Sequence, residues 1–70
     1  IPIATKVKVT IFNATGDEIA VLVNCLQKPG LYSVIWSGRD NTEQICPNGL
    51  YFYRLETKEF QNTKKMLLLR

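Results

Sequence analysis

The feature that most constrains this chain is a series of short apolar–polar alternations separated by turn residues. In the first such run, residues 6–13 (KVKVTIFN), Val7, Val9 and Ile11 alternate with polar residues. A two-residue period is typical of a half-buried β-strand. No segment longer than a turn has a helical period, so the pattern predicts an all-β fold.

Five strands are predicted, each bounded by turn residues. They cover residues 6–13, 18–23, 31–36, 49–57 and 63–70. In the third strand, alternate residues form an aromatic-rich face that we expect to turn inward, and the last two strands form a hairpin. Strands at this short, regular spacing predict a small antiparallel β-sandwich or barrel with Greek-key-like connections.

The predicted strand count is lower than a complete sandwich requires. A sandwich usually has about seven strands, and we expect the missing first strand to lie upstream of Ile1, where the chain begins abruptly. Such an omission leaves an open edge or groove, which is costly unless something covers it. The 70 residues are therefore expected to be one domain, residues 1–70, cut from a longer chain.

Composition argues against several functional classes. The net charge is only +3 and the lysines are scattered, whereas nucleic-acid binding needs a dense basic stripe. No apolar run approaches the ~18 residues that span a bilayer. The chain has no histidine, which removes the usual zinc sites and any Ser-His or Cys-His catalytic pair. We therefore expect no enzyme, metal, cofactor, nucleic acid or transmembrane segment.

Two cysteines, Cys25 and Cys46, lie in predicted loops. A disulfide closing the stretch between them would stabilise the fold by roughly 3 kcal/mol. Two separate, partly buried thiols fit the sequence equally well, and the sequence leaves this choice open.

For the other candidate sites, the sequence favours an ordinary structural role over a binding role. Asp40, Asn41 and Glu43 resemble oxygen ligands for calcium, but their spacing favours ordinary turn chemistry. Tyr51 and Tyr53 share a predicted strand face. Exposed rings on that face could bind carbohydrate, and buried rings would form the core. In so small a domain the core is favoured. Lys64, Lys65 and Arg70, near the ends of the last predicted strand, would keep a sheet edge soluble.

The last predicted strand also has an unusual apolar pattern. Met66 and Leu68 face one side, and Leu67 and Leu69 face the other. A structural edge strand usually alternates with polar residues. The run therefore predicts a strand that is either covered on both faces or offers one apolar face to a partner.

Three elements together resemble a known bacterial module. The first is a W-x-G-x-D block, formed by Trp36, Gly38 and Asp40. The second is a P-x-G-x-Y motif, formed by Pro47, Gly49 and Tyr51. The third is a final strand that carries Lys64 and Lys65 and ends on Arg70. In their order and spacing the chain resembles the type A C-terminal sorting domain of the type IX secretion system. It is also similar to the immunoglobulin-like domain of the flagellar hook-capping protein.

This resemblance implies a non-catalytic immunoglobulin- or fibronectin III-like sandwich at the C-terminus of a secreted protein. An outer-membrane translocon would recognise the domain, and a sortase-like peptidase would remove it. The secreted protein would therefore be in the periplasm in transit and then at the cell surface or in the extracellular space. The P-x-G-x-Y residues would shape the recognised fold, and the signal would be presented by Lys64, Lys65, Leu69 and Arg70.

Two other functions stay open at this point. The domain could be a structural subunit of an extracellular filament or cap, in which a neighbouring subunit donates a strand to the incomplete sheet. It could also be an accessory adhesion or carbohydrate-binding module.

Overall fold

The computed structural model describes residues 4–28 and 30–69, which form one four-stranded antiparallel sheet. The strands are β1 (Thr5–Asn13), β2 (Glu18–Gln27), β3 (Gly49–Glu56) and β4 (Gln61–Leu68), in the spatial order β2-β1-β3-β4. The described residues contain no helix, and so no helix that could cross a membrane. The predicted all-β class is confirmed, and the sheet is consistent with a fragment of a small immunoglobulin-like sandwich.

The two faces of the sheet differ because successive side chains point to opposite sides. On the inner face, Ile11 of β1 lies opposite Tyr53 of β3, and Val9 lies opposite Leu55. A small core forms on this face, in which Ile11, Ala20, Cys46 and Tyr51 are buried. The outer face carries Lys8, Thr10 and Phe12 of β1 beside Phe52, Arg54 and Glu56 of β3.

The β1–β2 hairpin follows from local turn chemistry. The Asn13 side-chain oxygen accepts hydrogen bonds from the backbone N–H groups of Thr15 (3.2 Å) and Asp17 (2.8 Å). Gly16 has a φ of +90°, which favours glycine over residues with a side chain. These residues form the turn between the strands predicted at residues 6–13 and 18–23.

β2 is longer than predicted, which corrects the placement of Cys25. The strand continues past Val23 to Gln27 because the first half of β1 supplies a pairing partner, with Thr5 opposite Gln27 and Val7 opposite Cys25. Cys25 therefore lies in a strand and not in a loop. The predicted hairpin of the last two strands is confirmed, from Gly49 opposite Leu68 to Glu56 opposite Gln61.

The prediction of a strand at residues 31–36 is wrong. These residues belong to no strand, because no other described segment pairs with their backbone and an isolated extended segment has no ladder hydrogen bonds. The inward face expected for this segment is found at Trp36, which packs against the core, whereas Tyr32 is 51% exposed and Val34 is 43% exposed. The described part of the chain thus has one four-stranded layer, and the 31–36 segment lies beside its inner face.

Candidate functional site

The P-x-G-x-Y motif forms the entry to β3. The Tyr51 hydroxyl donates a hydrogen bond of 2.7 Å to the Pro47 carbonyl, which ties the loop before β3 to the strand. Gly49 has a φ of +152°, which a side chain would strain. The Tyr51 ring is buried and meets Trp36 edge-on, with centroids 5.0 Å apart. These contacts confirm the core interpretation of Tyr51, so the motif supports the fold and its aromatic ring is not exposed to a ligand.

The W-x-G-x-D block closes the long loop before β3. The Trp36 Nε1–H donates to the Arg39 carbonyl at 2.9 Å, and Gly38 has a φ of +80°. Asp40 Oδ1 accepts bonds from the Thr42 hydroxyl (2.7 Å), the Thr42 N–H (2.8 Å) and the Gln44 N–H (3.0 Å). The bond from the Thr42 hydroxyl, followed by that from the Gln44 N–H, holds the pKa of Asp40 below its usual value. Turn chemistry therefore explains the cluster that resembled calcium ligands.

This loop also covers part of an open sheet edge. Asn41 accepts a hydrogen bond from the Val21 N–H through its side-chain Oδ1 (3.0 Å) and donates its own N–H to the Ile19 carbonyl (3.1 Å). One residue thus takes the place of a neighbouring strand along the start of β2. Capping an edge in this way discourages pairing with another chain. The sequence pattern did not reveal this role, because Asn41 lies 20 residues from Val21.

β4 is the other edge of the sheet and carries the predicted signal. Lys64 lies opposite Tyr53 and Lys65 opposite Phe52, so the two ammonium groups belong to opposite faces. Both lysines are exposed, and neither forms an ion pair with the described residues. Arg70, the last residue assigned to the signal, lies outside the described residues.

The apolar end of β4 divides between the two faces, as predicted. Met66 and Leu68 pack against the core. Leu67 is 68% exposed and Leu69, just beyond the strand, is 75% exposed. Since Leu67 lies opposite Leu50, itself 40% exposed, an apolar patch forms beside the P-x-G-x-Y entry. The structure therefore brings the motif and the end of the last strand together.

The two cysteines are far apart and are not joined as a disulfide. Cys46 is buried in the cluster that contains Ala20, whereas Cys25 is exposed further along β2. Ala20 and Cys25 are five residues apart, which is roughly 16 Å along a strand. A disulfide needs Cα atoms within about 7 Å. The two thiols are separate because Cys46 packs near the start of β2, beside Ala20, whereas Cys25 lies near the other end of that strand.

An apolar hollow of about 480 Å³ lies between the inner face of the sheet and the 31–36 segment. Val7, Val9 and Leu55 are among the sheet residues in its walls, and the segment contributes Leu31, Tyr32, Val34 and Trp36. None of the described residues that line it is charged.

Metal-binding geometry does not occur in the described residues. No three His, Cys, Asp or Glu side chains of residues 4–28 and 30–69 come close enough to hold an ion together. The outer face instead carries one ion pair, Arg54 to Glu56 at 3.0 Å, and the Arg54 guanidinium lies 4.6 Å from the centre of the Phe12 ring.

The antiparallel sheet, its turn-capped edge and its tyrosine-anchored strand entry define an immunoglobulin-like β domain. A family model, the FlgD Ig-like domain, matches residues 3–59. This match covers most of the chain, and the chain belongs to that family. The matched residues end before β4 begins. No curated protein and no solved structure matches the chain.

Proposed function

We propose that this domain is a non-catalytic sorting domain that directs a secreted cargo protein across the outer membrane. The observation that carries the proposal is the position of β4. The lysine-bearing strand, which resembles the signal of type IX sorting domains, is an edge strand and is therefore accessible to a receptor.

The exposed groups of β4 are suited to recognition. An edge strand offers unpaired backbone groups that a receptor can extend by strand addition. Lys64 and Lys65 add a positive charge to each face, and Leu67 adds an exposed apolar side chain. Exposed apolar patches commonly mark interaction sites. The proposed partners are an outer-membrane translocon, which would bind this strand, and a sortase-like peptidase, which would remove the domain.

The motif residues would act indirectly in this scheme. The buried Tyr51 ring cannot touch a receptor, but its hydroxyl fixes Pro47 beside the end of β4. Gly49, opposite Leu68, starts the strand that β4 pairs with. The proposed location is the periplasm in transit, followed by the cell surface or the extracellular space.

A reporter assay tests this proposal. The 70 residues are fused to the C-terminus of a folded periplasmic reporter in a bacterium with a type IX system, and surface reporter is measured. The double substitution Lys64→Ala/Lys65→Ala is expected to retain the reporter in the periplasm. The matched control Lys6→Ala/Lys58→Ala removes the same charge from two other exposed positions and should leave export intact.

Two outcomes would overturn the proposal. The unaltered fusion could stay in the periplasm although circular dichroism shows a folded β domain. Alternatively, the Lys64→Ala/Lys65→Ala variant could be exported as well as its control. A companion variant, Leu67→Ser/Leu69→Ser, tests whether the apolar patch contributes to the same recognition.

A second candidate function is favoured by the hollow. A structural subunit of an extracellular filament or cap would use an incomplete layer to accept a strand from a neighbouring subunit. The uncharged hollow above the inner face is an observation in favour of such acceptance. This function predicts open-ended oligomers at high concentration, and mass analysis that finds none would exclude it.

A further inference from the structure

Asn48 combines a reactive sequence with an unrestrained side chain. It is followed by Gly49, whereas no other asparagine of the chain is followed by glycine. The residues that follow the other asparagines are Ala14, Cys25, Thr42 and Thr63. Since glycine has no Cβ to shield its backbone nitrogen, that nitrogen can closely approach the side-chain carbonyl carbon of the preceding asparagine. The sequence therefore makes the Asn48 side chain the best placed for attack by its own backbone.

The structure leaves room for this attack. The Asn48 side chain is exposed and has no hydrogen bond partner within the part of the chain that the structure describes. A Cβ built on Gly49 would meet no other residue within 4 Å, so the space beside the attacking nitrogen is open. Gly49 and Leu68 form an end pair of the β3–β4 ladder. End pairs of a ladder open at the lowest free-energy cost.

The other asparagines are held by their surroundings. Asn13 and Asn41 both accept backbone hydrogen bonds through their side-chain oxygens. Asn24 and Asn62 lie within β2 and β4, where the ladder holds the backbone extended. Each is also followed by a residue whose side chain shields the backbone nitrogen. Both sequence and structure therefore separate Asn48 from the other four.

We propose that Asn48 deamidates spontaneously in the folded domain, faster than the other four asparagines. The Gly49 nitrogen attacks Asn48 Cγ and forms a new N–C bond, and the Cγ–Nδ2 bond breaks. The side-chain nitrogen leaves as ammonia, with the proton that the Gly49 nitrogen loses. Water then opens the resulting succinimide ring at either carbonyl, which gives an aspartyl or an isoaspartyl residue. Water is the only co-reactant.

The two products affect the start of β3 differently. Both replace a neutral amide by a carboxylate, which lowers the net charge of +3 by one. The isoaspartyl product also routes the main chain through the side chain of residue 48, which adds one atom between Pro47 and Gly49. This lengthening moves Pro47 relative to Tyr51, whose hydroxyl donates the 2.7 Å hydrogen bond to the Pro47 carbonyl. The isoaspartyl form should therefore lose that bond. The reaction does not depend on the sorting role proposed above.

Peptide mass mapping of the folded chain, incubated at neutral pH, tests the site. The mass change from amide to acid should appear at Asn48, and fragment ions distinguish it from Asn41 in the same peptide. Isoaspartyl methyltransferase should label that peptide. Asn48→Gln keeps an exposed amide but requires a six-membered ring for the attack, so conversion should be lost.

A matched control separates the structure from the sequence. Ala14→Gly places a glycine after Asn13, whose side-chain oxygen is held by hydrogen bonds. In this variant Asn13 should convert more slowly than Asn48 while the chain is folded, and at a similar rate in urea. Circular dichroism checks that each variant is folded. The proposal is overturned if Asn48 stays intact in the folded chain, if it converts no faster than the other four asparagines, or if Asn13 of Ala14→Gly converts as fast.

Urea unfolding tests the effect of the product. The isoaspartyl fraction, isolated by ion exchange, should have a lower urea midpoint than Asn48→Asp, which carries the same charge on an unaltered backbone. Equal midpoints would overturn the expected loss of the bond between Tyr51 and Pro47.

Discussion

Replacing Thr10 by valine is expected to stabilise this domain. Thr10 lies at the middle of β1 on the outer face, opposite Val21 of β2 and Arg54 of β3. Its side chain is completely buried, and its hydroxyl oxygen has no hydrogen bond partner within the described residues. Folding therefore removes this hydroxyl from water without replacing the hydrogen bonds that water supplied.

The size of the effect follows from this burial. A buried hydroxyl without a partner costs about 1–3 kcal/mol in mutational data. Valine has nearly the same shape, keeps the β-branch that suits a strand, and places a methyl group where the hydroxyl lies. We expect the free energy of unfolding to rise by about 1–3 kcal/mol. For a chain of 70 residues, each kcal/mol corresponds to about 7 °C in Tm.

Urea and thermal unfolding followed by circular dichroism measure this change. Thr63→Val is the matched control, because Thr63 also lies opposite Arg54 but is exposed; it should alter stability by no more than about 0.5 kcal/mol. Thr10→Ser keeps the hydroxyl and removes the methyl group, so it should destabilise the fold. The reasoning is refuted if Thr10→Val leaves the midpoint unchanged or lowers it while the urea m-value stays constant.

Three further predictions concern the loop and the strand entry. Asn41→Ala should expose the Val21 amide, so amide exchange measured by NMR should accelerate at Val21; unchanged protection there would contradict the edge-capping role. Tyr51→Phe should cost about 1 kcal/mol in urea unfolding through loss of the bond to Pro47, and an unaltered midpoint would show that this bond contributes nothing. Folding lowers the pKa of Asp40 because the hydrogen bonds favour its charged carboxylate. The stability that this carboxylate contributes is therefore present above about pH 3.8 and is lost as the pH falls. The unaltered chain should therefore lose stability in acid more steeply than Asp40→Asn, and parallel pH profiles would contradict this.

Much of the fold could be predicted from local signals. The alternation at Val7, Val9 and Ile11 is visible within one strand, and the turn at Asn13 to Gly16 needs only neighbouring residues. The same holds for the burial of Tyr51, since a large aromatic ring in a small domain is needed for the core. These features depend on intrinsic side-chain properties and on short sequence separations.

The candidate site could be predicted only in part. The sequence showed that the last strand has apolar side chains on both faces, with Met66 and Leu67 pointing opposite ways. That this strand is a sheet edge depends on its pairing with β3 alone. The local sequence predicts neither the exposure of Leu67 nor the hollow beside Trp36, because both depend on which distant residues pack nearby.

The sequence by itself determined that this chain forms β-strands, that a turn separates the first two, and that the Tyr51 ring enters the core. The tertiary structure decided whether each extended segment finds a partner. Residues 31–36 have the pattern of a strand and are not one, because no described neighbour bonds to their backbone. Asn41, with an unremarkable turn sequence around it, occupies the edge of β2. A strand requires hydrogen bonds from distant residues, and local sequence does not specify which residues will supply them.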